Sequence, residues 1–263
     1  MSGRGGGNNF PLRGGKASNF EGGIRVNGFV SGGVIPAGRR GTKLDGLITG
    51  WDWYATFVHG IGGLDPADVE AAGADLPPID SVDQWAYLTG ATETAPRTTL
   101  AIGSTGNPMD TWASKNDIQV HGYIEASEGK IWKLLVGGIT NNMWQGPEYP
   151  NKTTATQPDS NYLYHDCGFV NGCLFELTSD ATEHSNVAAA NPSVVKRLRA
   201  AMEAANKTVF APFRPNSPRA CAVSLEKYHD PTHEWGWWGP FADGLVPDTR
   251  DFEVSTELPT THE

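Results

Sequence analysis

Cysteine is scarce in this sequence. Only Cys167, Cys173 and Cys221 occur among 263 residues, and an odd count leaves at least one thiol without a partner inside the chain. None has the CxxC spacing that a zinc ribbon or a thioredoxin-like centre needs. Long apolar runs are missing as well. No stretch approaches the roughly 20 apolar residues that cross a bilayer, and the opening MSGRGGGNNF lacks the apolar core of a secretory signal. Basic residues are outnumbered, 20 against 30 acids, for a formal net charge of -10, which argues against a general affinity for nucleic acid. The seven histidines are scattered. Only His229 and His233 come close, and Pro231 between them breaks the helix on which that spacing would serve a metal. No metal ligand is expected among these residues.

What charge there is lies unevenly. The first 44 residues hold Arg4, Arg13, Lys16, Arg25, Arg39, Arg40 and Lys43 against Glu21 alone, so an anion-binding region is better sought there than elsewhere, the alternative being a flexible basic arm. The run GRGGGNN has one arginine and no repeat, a poor match to an RNA-binding RGG segment.

The opening to about Gly23 reads as loop. IRVNGFVSGGVI, β-branched and aromatic between glycines, predicts a buried strand. From Asp45 as N-cap, Leu47, Trp51, Tyr54, Ala55, Val58 and Ile61 fall at helical spacing and Gly60, Gly62 and Gly63 stop the helix. A Pro-, Asp- and Gly-rich connector follows, and a subdomain boundary is placed near residue 90. Beyond it, TTLAIGS predicts a strand, and DIQVHGYIEA with KIWKLLVGGI predicts a hairpin turning at Ser127, Glu128 and Gly129. One face of that hairpin carries Ile118, Val120, Gly122 and Ile124. Residues 141–166 read as a long polar surface loop, and LFEL as a short strand. Asn191-Pro192 starts a helix with the apolar stripe Val194, Val195, Leu198, Met202 and Ala205. Together these elements make an α+β pattern, a small antiparallel sheet with one long helix. Most of the nine tryptophans fall on helix or strand patterns and are assigned to the core. Cys167 and Cys173 are close enough to bridge a loop.

The run GGNNFPLRGGKASNFEGGIRVNGFV resembles a sulfatase block in which a lysine-bearing loop leads through an EGG turn and an arginine into a strand. Four more blocks follow in the family's order: DGLITGWDWYATF, EGKIWKLLVG, LFELTSDATEHSNVA and GWWGPF. The chain is therefore similar to the C-terminal part of sulfatases of the arylsulfatase B group. The resemblance implies an α/β, alkaline-phosphatase-like fold, with residues 1–90 as the end of the catalytic domain and 91–263 as a smaller α+β C-terminal subdomain. It implies hydrolysis of sulfate esters, of small molecules or sulfated glycans, by a formylglycine nucleophile made from cysteine in CxPxR or CxAxR. It also implies a calcium ion held by Asp and Asn oxygens. Neither nucleic acid nor membrane is an expected partner.

None of the three cysteines begins that motif, and the Asp-Asn pair expected before the glycine-rich loop is replaced by Met1, Ser2, Gly3 and Arg4. The expectation is an incomplete sulfatase, without its nucleophile and metal ligands and inactive as this isolated chain. The alternative is a non-catalytic module, or pseudoenzyme, binding sulfated glycan through the basic N-terminal region; a phosphate-ester hydrolase of the same superfamily fits less well. Lys16 alone carries over as an active-site residue, placed on the sulfate. Glu21 and Arg25 are expected to fix the turn behind it, and His121 and His165 are candidates for the rim of a substrate pocket. The resemblance points to a lysosomal or secreted protein, where the NKT sequons at Asn151 and Asn206 would be glycosylated. It also suggests that the partner of Cys221 lies in the missing half, so that Cys221 is free here.

Overall fold

The computed structural model describes residues 8–74, 76–103, 120–144 and 165–209. Short helices come first: α1 (Glu21–Ile24), α2 (Asp52–Ala55), which runs on as a π-helix over Thr56–Ile61, α3 (Val69–Gly73) and α4 (Trp85–Thr89). Six strands follow, β1 (Thr99–Gly103), β2 (Val120–Ser127), β3 (Lys130–Leu135), β4 (Gly138–Ile139), β5 (His165–Asp166) and β6 (Cys173–Glu176). The helix α5 (Pro192–Asn206) is the last element among the described residues.

The expected hairpin forms, with Ser127 opposite Lys130. Its two-residue link, Glu128-Gly129, has both φ values positive, 52° and 75°. That pair gives a hairpin the right-handed twist of its strands. Among the described residues all pairings are antiparallel, in the order β1-β2-β3-β6, and β4 and β5 form a separate pair. Successive β3 side chains alternate between two filled layers. Trp132 and Leu134 pack with Leu174, Leu198 and Met202 under α5. Leu135 packs on the other face with Phe20, Ile124, Phe175 and the two bridged cysteines. Fully burying side chains the size of Leu198 and Met202 contributes about 1.5–3 kcal/mol each, which fixes α5 across the sheet.

The stripe on α5 is as expected, but its cap is not. Asn191 makes no side-chain cap bond; its Nδ2 donates to Val187 O at 2.9 Å and secures the 3-10 turn Ala188–Ala190. At the other end, Asn206 Oδ1 accepts from Val120 N at 3.1 Å, joining the helix to the start of β2.

Two expectations in the first hundred residues are overturned. IRVNGFVSGGVI is not a buried strand: Val26 and Phe29 are 86% and 89% exposed, and residues 26–31 make no backbone hydrogen bond with any described residue. The helix expected from Asp45 begins only at Asp52, and of its apolar stripe Ala55 is buried while the large side chains are mostly not. Trp51, Tyr54 and Ile61, from the apolar stripe, face solvent, whereas Asp52 and Thr56 are fully buried. A polar network makes that burial possible. The Asp52 carboxylate accepts from Thr49 N (2.9 Å), Val82 N (3.0 Å), Gln84 Nε2 (3.2 Å) and Arg97 Nε (2.7 Å), and it also meets the Arg97 terminal nitrogen. Of the polar stretch 141–166, residues 145–164 lie outside the described residues, but Asn142 and Met143 are buried and His165–Asp166 is strand.

Burial pushes the Asp52 carboxyl up, but the Arg97 guanidinium and the N–H groups of Thr49 and Val82 outweigh it and hold it below the usual carboxylate range. A depressed folded pKa adds stability above the unfolded value of about 4, lost as pH falls through the folded value. Asp52→Asn should therefore flatten the loss of stability on acidification. Urea midpoints for both proteins at pH 3 and pH 7 check this, and equal acid-side losses would refute it.

Candidate functional site

The site grows from the loop before α1. Gly14 N donates to Met143 O at 2.9 Å and Gly22 N to Arg13 O at 2.7 Å, so the loop is tied to the chain beyond β4 and closed on itself. The two glycines of the EGG turn are steric requirements. A Cβ on Gly22 would stand 2.5 Å from Gly14 O, and one on Gly23 2.1 Å from Ser18 O.

Arg13 is the centre of this support. Its guanidinium lies 3.8 Å from the Phe20 ring centre and 4.3 Å from that of Trp144, and it donates to Asn142 O (3.0 Å) and Glu183 O (3.2 Å). Trp144 donates to Thr182 O at 2.7 Å and stacks on His184. A cation desolvated between aromatic faces gains about 2 kcal/mol or more. Burial draws the Arg13 pKa down to about 10 against the pull of Glu183 and Asp180, so it stays charged at neutral pH.

Below it, Lys133 on β3 is fully buried, with its ammonium 2.8 Å from a Glu21 oxygen and 2.8 Å from a Glu183 oxygen. The first contact is a hydrogen bond; the second is an ion pair without hydrogen-bond geometry. Glu183 also accepts from Glu21 N at 2.6 Å, and Arg25 lies 3.6 Å from Glu21. Glu21 is thus tied into the support behind the loop, while Arg25 meets it from the surface with a largely exposed side chain.

Lys16 sits at the loop's outer edge between two left-handed residues, Gly14 (φ 82°) and Ala17 (φ 68°). Its carbonyl accepts from Asn141 Nδ2 at 2.8 Å, and that of Ala17 accepts from the Thr140 hydroxyl at 3.3 Å. The backbone is pinned while the side chain is exposed, and its ammonium has no ion-pair partner among the described residues. This arrangement holds a point charge at a fixed origin and leaves it free to meet an anion.

The other sequence candidates are placed differently. His121 is buried and meets Phe169 edge-on. His165 is half-buried, edge-on to Phe20, and paired through β5 with Ile139, close in sequence to Thr140 and Asn141. Its pKa is lowered by burial and then by Arg13, with Asp166 opposing. Asn206 has its side-chain oxygen on β2, while Asn151, Cys221, His229 and His233 lie outside the described residues. Trp132 is core, as expected, and Trp51 is exposed. Arg13, Lys133, Glu183 and Asn141 were not singled out from sequence.

Cys167 and Cys173 form a disulfide, and with His165 they are the one group of metal donors among the described residues. Sulfur and imidazole are soft donors that do not fit a hard calcium ion. A cavity of about 470 Å³ lies between the π-helix, Ser81 and Asp83, where His59 Nδ1 is 2.8 Å from Asp83 Oδ2. None of its lining residues belongs to the Lys16 loop.

No protein-family model matches the chain. It is similar to arylsulfatase J of Mus musculus, 27% identical over 241 residues, covering 90% of this chain and 37% of that protein. The chain thus spans well under half the length of the relative. No helix among the described residues is long and apolar enough to cross a membrane. The mixed helices and antiparallel sheet are compatible with a sulfatase C-terminal region, and the similarity supports a relationship between this chain and the sulfatase family.

Proposed function

We propose that this chain is the C-terminal part of a sulfuric ester hydrolase of the arylsulfatase B group, in which Lys16 binds the sulfate. The observation that carries this reading is the Lys16 loop, anchored through its backbone on Asn141 and Thr140 with its ammonium left in solvent. An ammonium suits a tetrahedral dianion as a point charge. Five sequence blocks in family order and the similarity over nine-tenths of the chain support the same reading. On it, the fold is completed as an alkaline-phosphatase-like α/β domain. The formylglycine nucleophile and the calcium ligands come from polypeptide other than these residues. The substrate is a small sulfate ester or a sulfated glycan, and the compartment is lysosomal or extracellular, with Asn151 and Asn206 as glycan acceptors.

Titrating the purified chain with inorganic sulfate tests the anion role. Backbone amide shifts should move at Gly15, Lys16 and Ala17, and the response should vanish in Lys16→Ala. An identical response in the variant overturns the assignment.

The chain by itself is expected to hydrolyse no aryl sulfate above background, because nucleophilic catalysis needs an activated group and no cysteine here begins the formylglycine motif. Added calcium should not rescue it. Calcium-dependent turnover by a preparation free of other sulfatases would reveal a nucleophile of a different kind. Retention of sulfated glycan with no hydrolysis, even when a nucleophile-bearing segment is joined, would instead favour the non-catalytic module.

A further inference from the structure

The loop from Cys167 to Cys173 is held in place by more than its disulfide. Cys167 N donates to Gly137 O at 3.0 Å, and Gly137 N donates to Gly168 O at 3.2 Å. One residue back, Asp166 pairs with Gly138 and His165 with Ile139; at the far end, Cys173 pairs with Leu135 in the main sheet. The Cα atoms of the two cysteines are 5.0 Å apart, and these backbone bonds keep both ends of the loop beside β3 and β4 whether or not the sulfurs are joined. Into the same place His165 brings its Nε2, 3.4 Å from Cys173 Sγ. All three donor atoms lie within 4.8 Å of one another.

We propose that His165, Cys167 and Cys173, once the disulfide is reduced, form a three-ligand site for a soft divalent cation of the zinc type. Around tetrahedral zinc, with bonds of about 2.3 Å to sulfur and about 2.0–2.1 Å to nitrogen, neighbouring donors stand roughly 3.5–3.8 Å apart. The spacing from His165 Nε2 to Cys173 Sγ is already near that value, so Cys167 Sγ, which lies within 4.8 Å of the histidine, is the atom that has to move, and side-chain rotation at Cys167 carries it off Cys173 and into reach of the ion. Two thiolates and a neutral imidazole form a soft donor set that cancels the charge of the ion, and His165 is half-buried, so solvent takes the fourth position. The chemistry balances with a dithiol as reductant. It gives each cysteine sulfur one hydrogen and closes to its own disulfide; the cation then displaces both thiol protons to solvent.

The site is tested on the full chain in a Cys221→Ser background, reduced with a dithiol that is then removed without air, and titrated with Co2+. One equivalent should produce tetrahedral d–d bands and a thiolate-to-cobalt charge-transfer band, and Zn2+ should displace both. The oxidised chain should give neither band. His165→Asn keeps both thiols and the backbone ladder, and it should weaken Co2+ by at least about tenfold, since changes to outer-shell partners alone typically cost 10–100-fold. Absence of bands in the reduced chain, or bands and affinity unchanged in His165→Asn, overturns the proposal.

Discussion

Replacing Lys133 by methionine is expected to lower the unfolding free energy by about 3–5 kcal/mol, the cost of removing one partner from a buried ion pair. Methionine fills much the same space, so packing beside Phe175 on the neighbouring strand is largely kept and the loss is electrostatic. Two carboxylates remain out of water, Glu21 nearly so and Glu183 fully. Burial already raises the Glu183 pKa, and Lys133 is the main force opposing it. An acid whose folded pKa is raised adds stability below its unfolded value, lost as pH rises through the folded value. Without Lys133 that rise grows, so the variant should be worse at pH 8 than at pH 5. Adding Glu183→Gln should restore part of the loss by removing one of the stranded charges. Urea unfolding of the three proteins at both pH values decides the matter. A loss below about 1 kcal/mol for Lys133→Met, the range of an exposed pair, would mean that water reaches the cluster.

Lys133 also shows why sequence reading stops where it does. The hairpin and α5 were legible because strand alternation and helical spacing are local, and Leu198 and Met202 sit where their period puts them; Val120 and Ile124, expected on one face, fall on opposite faces because the pairing of β1 with β2 shifts by a residue at Ile102 and Gly103. A lysine inside KIWKLL signals a buried cation only if its partners can be named, and Glu21 is 112 residues away. Arg13 poses the same difficulty, with Glu183 170 residues distant. Periodicity likewise identifies residues that share a helix face but not the face that is buried. Around Asp52 polar side chains join Ala55 on the buried face, because Arg97 and Gln84 arrive from later in the chain to satisfy the carboxylate. The EGG turn was legible as a block, but its cause, carbonyl oxygens too close for any Cβ, belongs to three dimensions. The donor set of His165, Cys167 and Cys173 escaped a search for CxxC because strand pairing, not spacing, assembles it.

Lys16→Ala, in a protein that joins this chain to a nucleophile-bearing segment, is expected to lower turnover of an aryl sulfate by about 10²–10³-fold, the effect of removing one donor aimed at developing charge. Folding should hardly notice. The side chain is exposed, and the bonds that shape the loop use the carbonyls of Lys16 and Ala17, which alanine retains. Ala17 already holds a left-handed φ beside it, and the substitution leaves that residue untouched. Lys16→Arg should recover only part of the rate, because a planar fork presents its donors differently from an ammonium. An indirect route to the same site makes a useful contrast. Arg13→Met removes the guanidinium from between Phe20 and Trp144 and takes one donor from each of the carbonyls of Asn142 and Glu183, so it should reduce stability together with rate. A pure loss of rate in Lys16→Ala beside a combined loss in Arg13→Met separates the residue that meets the anion from the one that holds its loop. If Lys16→Ala kept near-normal turnover, Lys16 would be an ordinary surface lysine, and the sulfate would have to be met by some other cation.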